Sequence, residues 1–135
     1  MSYGKQVQAY RQNAVMSASP VQLVVMLYDG SLRFMEEGKR AIIAKDLATQ
    51  NAKLQRAQKI VMELMSTLNF NAGGEISKNL LSLYSFVLNE LVEGNMNDDP
   101  DRIDVAMKTM SELREGWVTI EAQSRNKQEI TPSAA

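Results

Sequence analysis

The sequence predicts an all-α fold, an antiparallel up-and-down four-helix bundle preceded by a short N-terminal arm. Three observations predict it. Proline occurs only at positions 20, 100 and 132, and the glycines do not alternate with strand-like runs. Two of the prolines follow a helix-capping residue, as Ser19-Pro20 and Asp99-Pro100. Between these marks, apolar residues recur at three- and four-residue intervals over stretches of roughly 20 residues.

The first helix is expected to begin at Pro20. Ser19 with Gln22 forms a capping box, the serine oxygen taking one free backbone N–H while Gln22 reaches back to another. From there Leu23, Leu27, Gly30, Phe34 and Ala41 share a face, and the pattern runs to about Lys45. Asp46 caps the second helix, in which Leu47, Leu54, Val61 and Leu68 repeat every seven residues with Ala57 and Leu64 between them, a bundle seam.

Asn69 to Glu75 interrupts that pattern with two adjacent glycines and reads as a linker. A third helix from about Ile76 to Gly94 presents Leu80, Tyr84, Val87 and Leu91 on one face. After a turn at Asn95 to Asp99, the fourth carries Ile103, Met110 and Trp117 with Ala106, Leu113 and Ile120. Connections this short make neighbouring helices antiparallel. The expected organisation is an arm at 1–18 acting as a mobile cap, a bundle at 19–125 and a flexible tail at 126–135.

Composition narrows the chemistry. The 135 residues contain no cysteine and no histidine, which removes thiolate nucleophiles, the common zinc and di-iron ligand sets and the commonest general base. An enzyme is not expected, nor is a cofactor or a metal. With 15 basic and 16 acidic side chains, the chain offers no electrostatic footprint for nucleic acid. Its longest apolar run, Leu23 to Tyr28, is far short of a membrane span, and the first fifteen residues lack the apolar core of a secretory signal, so no membrane insertion and a cytoplasmic location are expected. Asp98, Asp99, Asp101 and Asp104 lack the glycine and glutamate of a calcium loop and read as helix-start acids.

What remains is an excess of apolar surface. The six residues from Leu23 to Tyr28 cover every side of a helix, whereas a bundle helix buries about three positions in seven. Ile60 to Met65 and Leu80 to Leu88 exceed that allowance too, with Leu83 and Phe86 off the seam. Another polypeptide, the arm or a second subunit must cover the excess. In the arm, Tyr3, Val7, Tyr10 and Ala14 have helical spacing, fit for a weak, displaceable cover.

The run from Tyr10 to Phe34 (YRQNAVMSASPVQLVVMLYDGSLRF) resembles the signature of the bacterial flagellar secretion chaperone family FliS. The likeness continues through Lys53 to Leu68, the glycine linker, Asn79 to Tyr84, and Leu113, Arg114 and Trp117. It implies an ATP-independent cytoplasmic chaperone that grips the C-terminal segment of flagellin, prevents premature polymerisation and keeps it export-competent. The resemblance also implies that the arm, through Tyr10, occupies part of the client groove when flagellin is absent. Export-gate components or co-chaperones are further candidate partners. On this reading Tyr10 is the gate, and Val24, Leu27, Tyr28, Leu32, Ile60, Leu64, Leu83 and Val87 are candidate groove residues. The alternative is a structural helical module that homodimerises through its surplus apolar faces, with a homodimer also conceivable for the chaperone without its client.

Overall fold

A computed structural model describes residues 18–130, with side chains through Asn126. Four helices follow one another: α1 (Pro20–Ala44), α2 (Leu47–Ser66), α3 (Phe70–Met96) and α4 (Pro100–Ile130). The starts of α1, α2 and α4 have the caps that the sequence predicts. Ser19 Oγ accepts from the Gln22 N–H at 3.2 Å and Gln22 Oε1 accepts from the Ser19 N–H at 2.8 Å, closing the capping box ahead of Pro20. Asp46 Oδ1 accepts from the Thr49 N–H at 3.2 Å, and Asp99 Oδ1 from the Asp101 N–H at 3.0 Å. α1 stops at Lys45, whose φ of 60° is left-handed.

Two boundaries differ from expectation. The segment Asn69 to Glu75 is helical from Phe70, because Asn69 Oδ1 accepts from the N–H groups of Asn71 and Ala72, both at 3.1 Å. The two glycines act as a bend within the helix: Gly74 takes φ 50° and ψ −121°, a conformation open to glycine alone. At the other end of the chain, α4 continues to Ile130, past the boundary expected at residue 125.

The helices close a ring in which α1 lies against α2 and α4, and α3 completes it between the same two. Tyr28, Met35, Leu54, Val61, Leu64, Tyr84, Val87, Leu91, Ile103, Ala106 and Met110 form the buried centre. On α1 the buried stripe is Val25, Tyr28, Ser31, Met35, Gly38 and Ala41 with Ile42, rotated from the face that the leucines mark. Ser31 can occupy the core because its hydroxyl donates to the Tyr28 carbonyl at 2.8 Å. Gly38 lies against Leu54 with no room for a Cβ, which draws α1 and α2 together.

At the end formed by the α1–α2 and α3–α4 turns, buried Gln50 ties the two connections. Its amide donates to the Asn95 carbonyl (3.1 Å), Asn95 Oδ1 (3.0 Å) and Asp98 Oδ1 (2.8 Å). Ion pairs Lys39–Asp104 (2.7 Å), Arg102–Glu90 (3.4 Å) and Arg114–Asp29 stitch α4 to its neighbours from outside. Exposed as they are, these add little each.

Candidate functional site

The site is where the seams stop being core. At the end of the bundle holding the α1 and α3 N-termini and the α2 and α4 C-termini, the inward-facing residues Leu23, Leu27, Leu68, Leu80 and Trp117 are only half-buried. Between them lies an open groove of about 570 Å³, whose walls also include Val24, Leu64, Ala72, Gly73, Ile76, Ser77 and Tyr84. Small side chains make the space. Ala72 and Gly73, in the first turn of α3, occupy a wall where larger residues would fill the gap, and the Ser77 hydroxyl beneath them donates to the Asn69 carbonyl at 3.0 Å.

A hydrogen-bonded aromatic triad lies beneath the groove, with Tyr84 and Trp117 reaching its lining and Tyr28 buried behind them. Trp117 Nε1 donates to Tyr28 Oη at 3.1 Å, and the Tyr28 and Tyr84 hydroxyls share a 2.6 Å hydrogen bond across the bundle. The two phenol rings lie 6.3 Å apart at a 52° tilt, a favourable aromatic arrangement. Burial, reinforced by the bond to Tyr84, pushes the Tyr28 hydroxyl far above its ordinary pKa, and burial raises Tyr84 as well. Both phenols stay neutral, so the groove is an apolar surface with a few polar side chains: Asn69, Thr67, Ser77, Tyr84 and Trp117. A surface of this composition has room for an apolar or amphipathic ligand. Among the described residues no group of three His, Cys, Asp or Glu side chains is placed to hold a metal ion, and no helix is long and apolar enough to cross a membrane.

The candidate residues divide. Val24 and Leu27 line the groove as half-buried side chains. Tyr28 and Val87 are core, wholly buried and absent from the groove wall, which corrects their assignment as groove lining; Leu64, 1% exposed, belongs to the core and also lines the groove. Tyr28 can be buried because Tyr84 and Trp117 satisfy its hydroxyl. Leu32 and Ile60 are half-buried against the core and lie outside the groove, and Leu83, 38% exposed, is on the surface beyond it. Tyr10 lies outside the described residues. Sequence reasoning placed Leu23, Leu68, Leu80 and Trp117 in the seams, and overlooked Ala72 and Ile76, whose signal was the glycine-interrupted α3 start.

Much of the excess apolar surface is present. Met62 is 55% exposed, Phe86 43% and Ile76 70%. Near the middle of the α1–α2 seam, Phe34 sits among Arg33, Lys53 and Arg56.

The family model for "Flagellar protein FliS" matches residues 3–124 of the chain. A flagellar secretion chaperone FliS of Vibrio cholerae is 32% identical over 124 residues, covering 89% of this chain and 91% of its own. Its counterpart in Bacillus subtilis is 34% identical over 109 residues, 81% of this chain and 80% of its own, and that of Campylobacter jejuni is 35% identical, at 81% and 85%. The fold resembles that in a solved structure described as "Crystal structure of flagellar chaperone from bacteria", with TM-score 0.73 at 18% identity over 88% of this chain and 97% of the other.

Proposed function

Since this chain belongs to the FliS family of flagellar proteins, we propose that it is a cytoplasmic secretion chaperone that seats the C-terminal segment of flagellin in the groove beside Trp117. Holding that segment prevents premature polymerisation and keeps the client export-competent, without catalysis. The observation that carries this reading is the open end of the bundle, where seam residues that would normally meet one another in a core leave an apolar groove.

An amphipathic helix laid into such a groove anchors through side chains at i, i+3 or i+4, and i+7. The groove holds only part of a long client segment, and the remainder rests on exposed apolar residues such as Leu83 and Phe86. Coupled folding of a disordered tail onto these surfaces buries on the order of 1,000–3,000 Å² against an ordering cost of about 2–5 kcal/mol, with a negative heat-capacity change as its signature. The arm, with Tyr10, competes for the same groove and yields to the tighter ligand.

Calorimetry with a peptide of about 40 residues from the flagellin C-terminus tests this. The expected result is saturable binding with negative ΔCp, weakened about tenfold or more by Ile76→Asp, an exposed position where the substitution spares folding. No binding by the unaltered chain, or undiminished affinity in Ile76→Asp, refutes the assignment.

A further inference from the structure

Three cationic groups converge on one phenyl ring outside the groove. The Arg33 guanidinium carbon lies 5.1 Å from the Phe34 ring centroid, that of Arg56 5.5 Å, and Lys53 Nζ 5.6 Å. Each contact is of the cation–π kind, but together they collect like charge around a half-buried ring. Lys53 is answered by Glu37 at 3.0 Å. Arg33 and Arg56 make no ion pair among the described residues. The two exposed guanidiniums flank Phe34 within about a Debye length of each other, so an anion placed between them would relieve their repulsion. Planar forks of this kind suit a carboxylate.

The position matters as much as the charge. Leu27 on α1 and Leu64 on α2 belong to the groove walls. Phe34 lies seven residues beyond Leu27 on the same face and Arg56 eight residues before Leu64, so the seam leads from groove to basic patch over about 10–12 Å, roughly two helical turns. Gly30 keeps the ridge low between them, where a Cβ would touch Ile60 Cδ1 at 3.3 Å. A helix lying on this seam would place an apolar stretch in the groove and, two turns away, a side chain at the patch. The arm cannot supply a carboxylate there: residues 1–17 contain Lys5 and Arg11 but no Asp or Glu.

We propose that Arg33 and Arg56, with Phe34 between them, form a docking point for an acidic side chain of the bound client, about two helical turns from the stretch seated in the groove. The inference rests on the flagellin-tail reading. It adds a polarity, because only one direction of the client along α1 and α2 brings its carboxylate to the patch. It also adds a preference for client over arm, since the patch attracts an acidic ligand and repels the chain's own basic segment.

The test is calorimetric titration of the flagellin tail peptide into the unaltered chain and into the double variant Arg33→Gln with Arg56→Gln, at low and raised salt, with circular dichroism to verify the fold. The expected result is an affinity loss of about tenfold at low salt and a flatter salt dependence in the variant. A peptide whose acidic residues are converted to amides loses the same factor against the unaltered chain and little more against the variant, the signature of coupled partners. Affinity of the double variant within about twofold of the unaltered chain, or additive losses, overturns the docking point. If blocking only the peptide's terminal carboxyl as an amide reproduces the loss, the side-chain assignment is wrong. Should Ile76→Asp weaken binding while the arginine variant does not, the groove reading stands and the docking point alone falls; no binding by the unaltered chain ends both.

Discussion

Replacing Gly38 by alanine separates packing from helix propensity, because the two effects have opposite signs there. A Cβ on Gly38 would lie 2.4 Å from Leu54 Cδ2 and 2.6 Å from Leu54 Cγ. Leu54 is wholly buried and Cγ is its branch point, so the side chain has no solvent to swing into. Helix propensity favours alanine over glycine by about 0.8–1.0 kcal/mol. Overpacking a close-packed site costs about 1–3 kcal/mol, and two contacts below 3 Å place this one in the upper part of that range. The expected net loss is about 1–2 kcal/mol. Gly116→Ala is the control: a Cβ there meets nothing within 4 Å, so only propensity acts and stability rises by about 0.5–1 kcal/mol. Urea unfolding followed by circular dichroism reads both. Leu54→Ala should then cost less in the Gly38→Ala background than alone, by at least about 1 kcal/mol, because the clash and the cavity cancel. Stability of Gly38→Ala at or above that of the unaltered chain refutes the claim that close approach of α1 and α2 depends on a missing side chain.

Two further outcomes follow from the triad beneath the groove and from the groove's wall. Because Tyr28 and Tyr84 have pKa values raised above their ordinary 10.0 in the folded state, the unfolded chain releases protons first as pH climbs past about 10. Stability is therefore independent of these groups below that pH and falls above it, by up to about 1.4 kcal/mol per pH unit for each tyrosine. Tyr28→Phe should lower stability at neutral pH by about 1–3 kcal/mol, by leaving Trp117 Nε1 and the Tyr84 hydroxyl short of a partner, and should make the alkaline decline shallower. An unchanged decline in thermal melts from pH 9 to 11 would show that other groups cause it. Gly74→Ala forces a side chain into φ 50°, ψ −121° and should cost about 1–3 kcal/mol in the same unfolding assay, although no neighbouring atom obstructs it; a neutral result would mean that the α3 start relaxes without cost.

Helix starts were legible because caps are local chemistry: Ser19 with Pro20, Asp46, and Asp99 with Pro100 each satisfy free N–H groups within a few residues. The face of α1 was harder. Apolar spacing favours Leu23, Leu27 and Phe34, yet the inner stripe passes through Ser31 and Gly38. Neither looks like core until Ser31 is seen to bond its own helix and Gly38 to admit Leu54. The glycines after Asn69 announced a break without saying that a helical turn precedes it. The groove was half legible for a related reason. Periodicity identifies the direction in which a residue faces but carries no information about depth along the bundle axis, so Leu68, Leu80 and Trp117 read as seam in the same way as Leu54, Leu91 and Met110.

That difference in depth has a structural origin. At the closed end, Gly38 against Leu54 and Gly94 against Ile103 bring α1 to α2 and α3 to α4 closely, and Gln50 links the two turns. At the other end no such glycine draws α1 and α2 together at Leu23 and Leu68, and α3 bends at Gly74. The inward side chains there face a gap instead of one another. What keeps the gap from collapsing is the triad below it: Trp117, Tyr28 and Tyr84 come from three helices and are held by directional hydrogen bonds. An apolar substitute for Tyr28 would leave the packing but remove the bonds that set the spacing of α1, α3 and α4. A polar layer beneath an apolar groove therefore preorganises the groove before any ligand arrives, which lowers the ordering cost of whatever binds there.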